Sequence, residues 1–181
     1  MKDTETMCDI MNVLVAGEDE GFFTSAKNYT IFVPNNDAFK SVEDALESVS
    51  DEELGRIILF HMYEDVMLSY DDLVCSEKLK SMDGDLSRTK CENKNDENVK
   101  YQSGSGNAKH GSMPEIMAPL NKKDRRSSSA CNAALHSVNH LMLPVHLQQF
   151  NKEGGSSSSS ADDGAAAGRR RLGTMIRRRQ K

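Results

Sequence analysis

Between residues 7 and 15 the apolar positions Met7, Ile10, Met11, Leu14 and Val15 recur at the spacing of one helix face, which predicts an amphipathic helix. Gly17 and the acidic run "EDEG" end it, and Phe22 and Phe23 lead through a polar turn to a different pattern. Residues 29–33, Tyr-Thr-Ile-Phe-Val, are β-branched or aromatic without exception, which predicts a buried strand. Pro34 stops that strand, since proline has no donor to give a ladder. Asn35 or Asn36 then caps a short helix carrying Ala38 and Phe39.

Residues 42–49 form another short amphipathic segment. Ser50-Asp51-Glu52-Glu53 reads as a capping box, with serine at the cap and glutamate three residues on. In the helix it opens, Leu54, Ile57, Ile58 and His61 share one face, and Gly55 weakens it a little. Residues 69–73, "SYDDL", predict one more short turn of helix with an acidic start. From about Lys78 the pattern changes to short alternating pieces, "DLSRTKCE", "ENVKYQSGSGN", "SMPEIMAPL" and "ALHSVNHLMLP", separated by Gly, Asn and Asp as hairpin strands are. If the last is one regular strand, Ala134, His136, Val138, His140 and Met142 share one face, and Leu135, Ser137, Asn139, Leu141 and Leu143 the other. Helices first and strands mostly later predict an α+β domain, with N-terminal helices packed on a mostly antiparallel twisted sheet. The apolar pattern ends near residue 147, so residues 1–147 form the domain, 148–168 a Gly/Ser/Ala linker, and 169–181 a disordered basic tail.

Charge sharpens this division. The chain holds 23 basic and 28 acidic residues, but the tail "RRRLGTMIRRRQK" takes seven of the basic ones and no acid. Residues 1–168 therefore carry 16 basic against 28 acidic side chains, a net of −12. Such an acidic body argues against a nucleic-acid-binding fold, and no nucleic-acid partner is expected of it. No run approaches the ~18–20 apolar residues of a membrane span. No signal peptide is recognisable at the N-terminus.

Candidate chemistry is sparse. The acids of "DEE" and "YDD" stand at helix starts, where they complement the helix dipole. No serine sits in a GxSxG turn. "SGSGN" lacks the lysine and the helix that a phosphate loop requires. His136 and His140 on one regular strand would stand about 13 Å apart, too far to share a metal, and His146 follows outside it. No catalytic residue, cofactor or metal is expected. The four cysteines, Cys8, Cys75, Cys91 and Cys131, include no CxxC pair and allow three disulfide connectivities. One sequon, Asn28-Tyr29-Thr30, makes Asn28 a glycosylation candidate.

Three pieces in fixed order resemble the fasciclin (FAS1) domain family. "YTIFVPNNDAF" is similar to its first signature, T-hydrophobic-F-hydrophobic-P-(T/N)-(N/D)-x-A-F. "ILFHMYED" is similar to its central Tyr-His segment, with Phe60 in the tyrosine's place. "NAALHSVNHLMLP" is similar to its second signature, with Asn132-Ala133 where the family has Asn-Gly. The resemblance covers residues 7–147, and the segment around Cys75 and Cys91 resembles a cysteine-bearing subgroup of algae and microbes. The first helix starts only a few residues from Met1, which suggests a truncated gene start or a piece of a longer multi-domain protein.

The resemblance implies a single non-enzymatic module, secreted or surface-attached, contacting a cell-surface or matrix protein or glycan. Phe60 and His61 are its candidate partner-binding residues, weighed against a core histidine whose ring nitrogens bond backbone. Closing Cys75 to Cys91 would bridge a short irregular segment, leaving Cys8 and Cys131 to pair or stay free. Two other readings stay open: a regulatory or small-ligand-binding module on the same fold, and an intracellular protein whose basic tail contacts nucleic acid or membrane.

Overall fold

A computed structural model describes residues 6, 7, 9, 27–117, 128–130 and 132–145 of the protein. Most of the predicted first helix, Phe22 and Phe23, Cys8, Cys131, His146, the linker and the basic tail lie outside these residues. In chain order the described elements are β1 (Tyr29–Pro34), α1 (Asn36–Lys40), α2 (Glu43–Leu46), α3 (Asp51–Phe60), β2 (Met62–Glu64) and β3 (Lys78–Lys80). They continue with β4 (Leu86–Lys94), β5 (Glu97–Gly104), α4 (Ser105–His110), β6 (Ser128–Ala130) and β7 (Ala133–Val138). Residues 6, 7 and 9 are helical.

The described strands form two sheets, ordered β2-β1-β7-β6 and β3-β4-β5. The pairings are antiparallel except β1 with β7, which run parallel from Tyr29↔Ala133 to Pro34↔Val138. β1 is buried along its whole length, which explains why it reads as a continuous apolar run rather than an alternation. Its Ile31 and Val33 pack with Phe39, Leu54, Ile57 and Met62 in one core cluster. Phe32 points the other way, into a second cluster with Phe60, Tyr63, Val138 and Met142.

The local signals act as their chemistry requires. Asn35 is the cap of α1, its Oδ1 accepting from the Ala38 N–H at 2.8 Å. Asn36 instead holds the N-terminal helical residues, accepting from the Thr6 backbone N–H and from its Oγ1 at 3.2 and 2.9 Å. Ser50 and Glu53 close the capping box of α3 in both directions. The β4–β5 hairpin turns on Asn95 and Asp96, whose φ of 50° and 63° give the left-handed pair that a two-residue turn needs.

Three predicted elements differ. Residues 69–73 make a hydrogen-bonded turn, with Asp72 capping Ser69, and not a helix. Over its described residues 112–117, "SMPEIMAPL" contributes two isolated bridges, Tyr101↔Glu115 and Ile116↔Val138, since Pro114 has no N–H to extend a ladder. The strand expected to run through Leu143 stops at Val138. There Asn139 turns aside, its Oδ1 accepting from the Glu115 N–H at 2.9 Å, and residues 141–144 continue buried but outside any sheet.

Candidate functional site

Phe60 and His61 end α3, and the chain places both in its interior, each 0% exposed. His61 is the C-cap, its backbone N–H returning to Ile58 O. Its carbonyl accepts from Phe32 N at 2.9 Å, which seats β1 against the helix end. The ring completes the joint. Nδ1 lies 2.7 Å from Ile57 O, which can only accept, so Nδ1 carries the proton. Nε2 then accepts from Met142 N at 2.9 Å. Burial pushes the His61 pKa down to about 4, against a smaller upward pull from Ile57 O. A neutral imidazole with both nitrogens on backbone partners leaves no lone pair for a substrate, and this one joins three chain segments.

Asn107 is the other half of this joint, and the sequence reading misses it. The composition of "SGSGN" predicts no helix, whereas α4 begins at Ser105 with Gly104 as its cap. The amide of Asn107 is fully buried and uses all its hydrogen-bonding positions. Oδ1 accepts from the N–H of Gly104 at 2.9 Å and of Leu143 at 2.8 Å. Nδ2 donates to Leu141 O at 2.7 Å and to Ser112 Oγ at 3.0 Å. The glycines before it allow that approach: a Cβ on Gly104 would meet Leu143 O at 2.2 Å and the Phe60 ring at 2.6 Å. The signal available was an Asn three residues after a glycine, a position from which its side chain reaches back to the cap N–H. With α4 only six residues long and its start closed by the chain itself, no anion site arises there.

The loop between β2 and β3 is fastened by side chains from the sheets. Thr30 Oγ1 donates to Val66 O and accepts from Leu68 N, both at 2.9 Å. His136, stacked on Phe32 with ring centroids 5.2 Å apart, bonds Leu68 O at 2.8 Å. Its burial lowers its pKa. Lys100 Nζ donates to Tyr70 O and Leu73 O at 2.6 and 2.8 Å. His140, past the bend, bonds Asn139 instead at 2.9 Å, so it and His136 serve separate partners.

Cys75 and Cys91 close a disulfide from this loop onto β4, with Cα atoms 5.5 Å apart and a sequence separation of 16. Reducing it is expected to cost about 2–3 kcal/mol, because a loop of this length gains that much freedom in the unfolded chain. Urea unfolding of the full chain with and without a thiol reductant checks this, against the Cys75→Ser/Cys91→Ser variant, which should be insensitive to reductant at that bond. Asn28 is exposed, directly before β1. Among the described residues no helix is long and apolar enough to cross a membrane.

Comparison with known proteins agrees with this geometry. The model of the fasciclin domain family matches residues 9–144. Among solved structures, the chain is similar to the FAS1 domain pair from the insect cell adhesion molecule fasciclin I, at 13% identity and a TM-score of 0.51. That match covers 76% of this chain and 43% of the pair, so the chain spans less than half of that structure's length, and at this identity the likeness is one of fold. Among curated proteins no relative matches.

Proposed function

Since the chain belongs to the fasciclin domain family, we propose that it is a non-enzymatic adhesion module, working outside the cell or at its surface. The observation that carries this reading is the match to the family over residues 9–144. The solved relative in fold is part of a cell adhesion molecule, and the Cys75–Cys91 bond suits an oxidising compartment. In this reading residues 1–147 are the module, residues 148–168 a flexible spacer and the tail a solvated end. Phe60 and His61, being interior, serve a partner by holding the fold that presents the outer loops. Adhesion then draws on a few surface anchors and on multivalency across copies. Asn28 carries a glycan when the chain is exported.

The test coats beads with the purified full chain and measures their attachment to cells of the source, alongside fractionation of the native protein. Attachment that soluble full chain competes away, with the native protein in the medium or on the surface and the Cys75–Cys91 bond closed, is the expected result. A native protein confined to the cytosol with reduced cysteines overturns the reading.

A further inference from the structure

Among the described cations, most have a fixed partner. Lys27 pairs with Glu64, Lys40 with Asp37, Arg56 with Asp83 and Lys94 with Glu115, at 2.7 to 3.5 Å. Lys100 is held by loop carbonyls. Lys78, Lys80, Arg88 and Lys90 have no ion pair among the described residues, and the topology brings all four to one place. Lys78 stands directly opposite Arg88 in the β3–β4 ladder, and directly paired residues project from the same face. Lys80 follows Lys78 by two residues and Lys90 follows Arg88 by two, so both share that face. Lys78, Lys80 and Arg88 are exposed and Lys90 is half-buried.

With about 5 Å between paired positions and about 7 Å per two residues along a strand, the four charges form a stripe about 14 Å long. Two features make it more than a solvated face. Like charges directly opposite in a ladder cost stability, and the Lys78–Arg88 pair accepts that cost with no acid set between them. The stripe also lies on a body whose net charge through residue 168 is −12, so it is a local reversal of sign. Glu92 on the same strand face marks its far end, and exposed Leu86, opposite Lys80, gives an apolar contact beside it.

We propose that this face of β3 and β4 binds a linear acidic polysaccharide. Spaced cations on an open strand face complement a chain of regularly spaced anionic groups, and Leu86 offers contact for the apolar faces of sugar rings. A nucleic acid fits less well. Tyr101, the aromatic residue paired with Lys90, is only 3% exposed and offers no stacking platform for bases. The choice of a polysaccharide rests on the extracellular setting proposed above.

The experiment passes the full chain over immobilised heparin and, separately, over polygalacturonate, and reads affinity against salt. The variants are K78Q/K80Q/R88Q/K90Q and, as a control for the basic tail, R177Q/R178Q/R179Q. The expected result is a loss of about tenfold or more in affinity for the four-site variant, with the log-log salt slope smaller by about 2–3, as counterion release per lost contact requires. Tighter binding to heparin assigns the anions as sulfates, and tighter binding to polygalacturonate assigns them as carboxylates. A four-site variant that binds both polymers like the parent overturns the proposal, as does tighter binding of a single-stranded polynucleotide than of either. As a measurement free of substitutions, either polysaccharide should protect Lys78, Lys80 and Lys90 from an acylating reagent, and unchanged labelling counts against the site. If the four-site variant loses polysaccharide binding while bead attachment to cells persists, adhesion stands without this ligand. If polysaccharide binding is intact but cells are never bound, it is the adhesion reading that fails.

Discussion

Asn107→Leu is expected to destabilise the domain by about 4–6 kcal/mol, enough to consume most of the stability of a typical small domain. Leucine keeps the branching and the number of side-chain heavy atoms, and because its methyl groups are bulkier than the amide, some overpacking adds to the loss of the polar partners. It strands the buried N–H groups of Gly104 and Leu143 and the carbonyl of Leu141, all now bonded to the Asn107 amide. Each buried group left without a partner costs about 1–3 kcal/mol. The three are not independent, because two join α4 to residues 141–143 and the third closes the start of α4 itself, so the helix start and that segment should loosen together. Urea unfolding of the full chain is the measurement, with Asn93→Ala on the exposed end of β4 as a control expected within about 0.5 kcal/mol of the parent. A loss below about 1 kcal/mol for Asn107→Leu would show that the His61 and Gly106 hydrogen bonds and side-chain packing hold residues 141–143 without the Asn107 amide.

The same residue marks the limit of what the sequence makes legible. Signals that act over three or four residues are plain in it: the Pro34 stop, the Asn35 cap and the Ser50–Glu53 box each appear where their spacing puts them. Residues 139–144 are harder, because their alternation of apolar side chains is genuine. Leu141 and Leu143 do enter one core cluster and Met142 the other. The backbone N–H groups of Met142 and Leu143, however, go to the side chains of His61 and Asn107, 81 and 36 residues away, and no local pattern records such partners. The parallel pairing of β1 with β7 is hidden for the same reason. The cationic face falls between these cases: the strand alternation of "KLK" and "LSRTKC" can be read directly, but the meeting of Lys78 with Arg88 depends on a register that only the folded ladder sets.

Acidification should weaken the domain through His61 in particular. The unfolded chain binds a proton at the ordinary histidine pKa, near 6.5, while the folded ring resists it until about pH 4. Between those values the unfolded state holds more protons than the native one, so stability falls as pH falls, and the contribution is fully present only above about pH 6.5. A displacement of this size corresponds to about 3 kcal/mol across the window. The structural reason is specific: protonated Nε2 would turn a hydrogen toward the Met142 N–H, donor against donor, and leave a charge in a site closed to water. His136, also held neutral by burial, adds in the same direction, so the parent should lose at least the His61 share. His61→Gln removes that share while keeping a side-chain oxygen able to accept from Met142 N. The variant is expected to be less stable than the parent at pH 7.5 but to lose about 2–3 kcal/mol less on going to pH 4.5. Denaturant midpoints at both pH values, for parent, His61→Gln and His136→Gln, apportion the effect between the two rings. Superimposable pH profiles for the parent and His61→Gln would mean that the ring accepts its proton without releasing residues 141–143, and the joint between α3 and the second signature would then have to be held elsewhere.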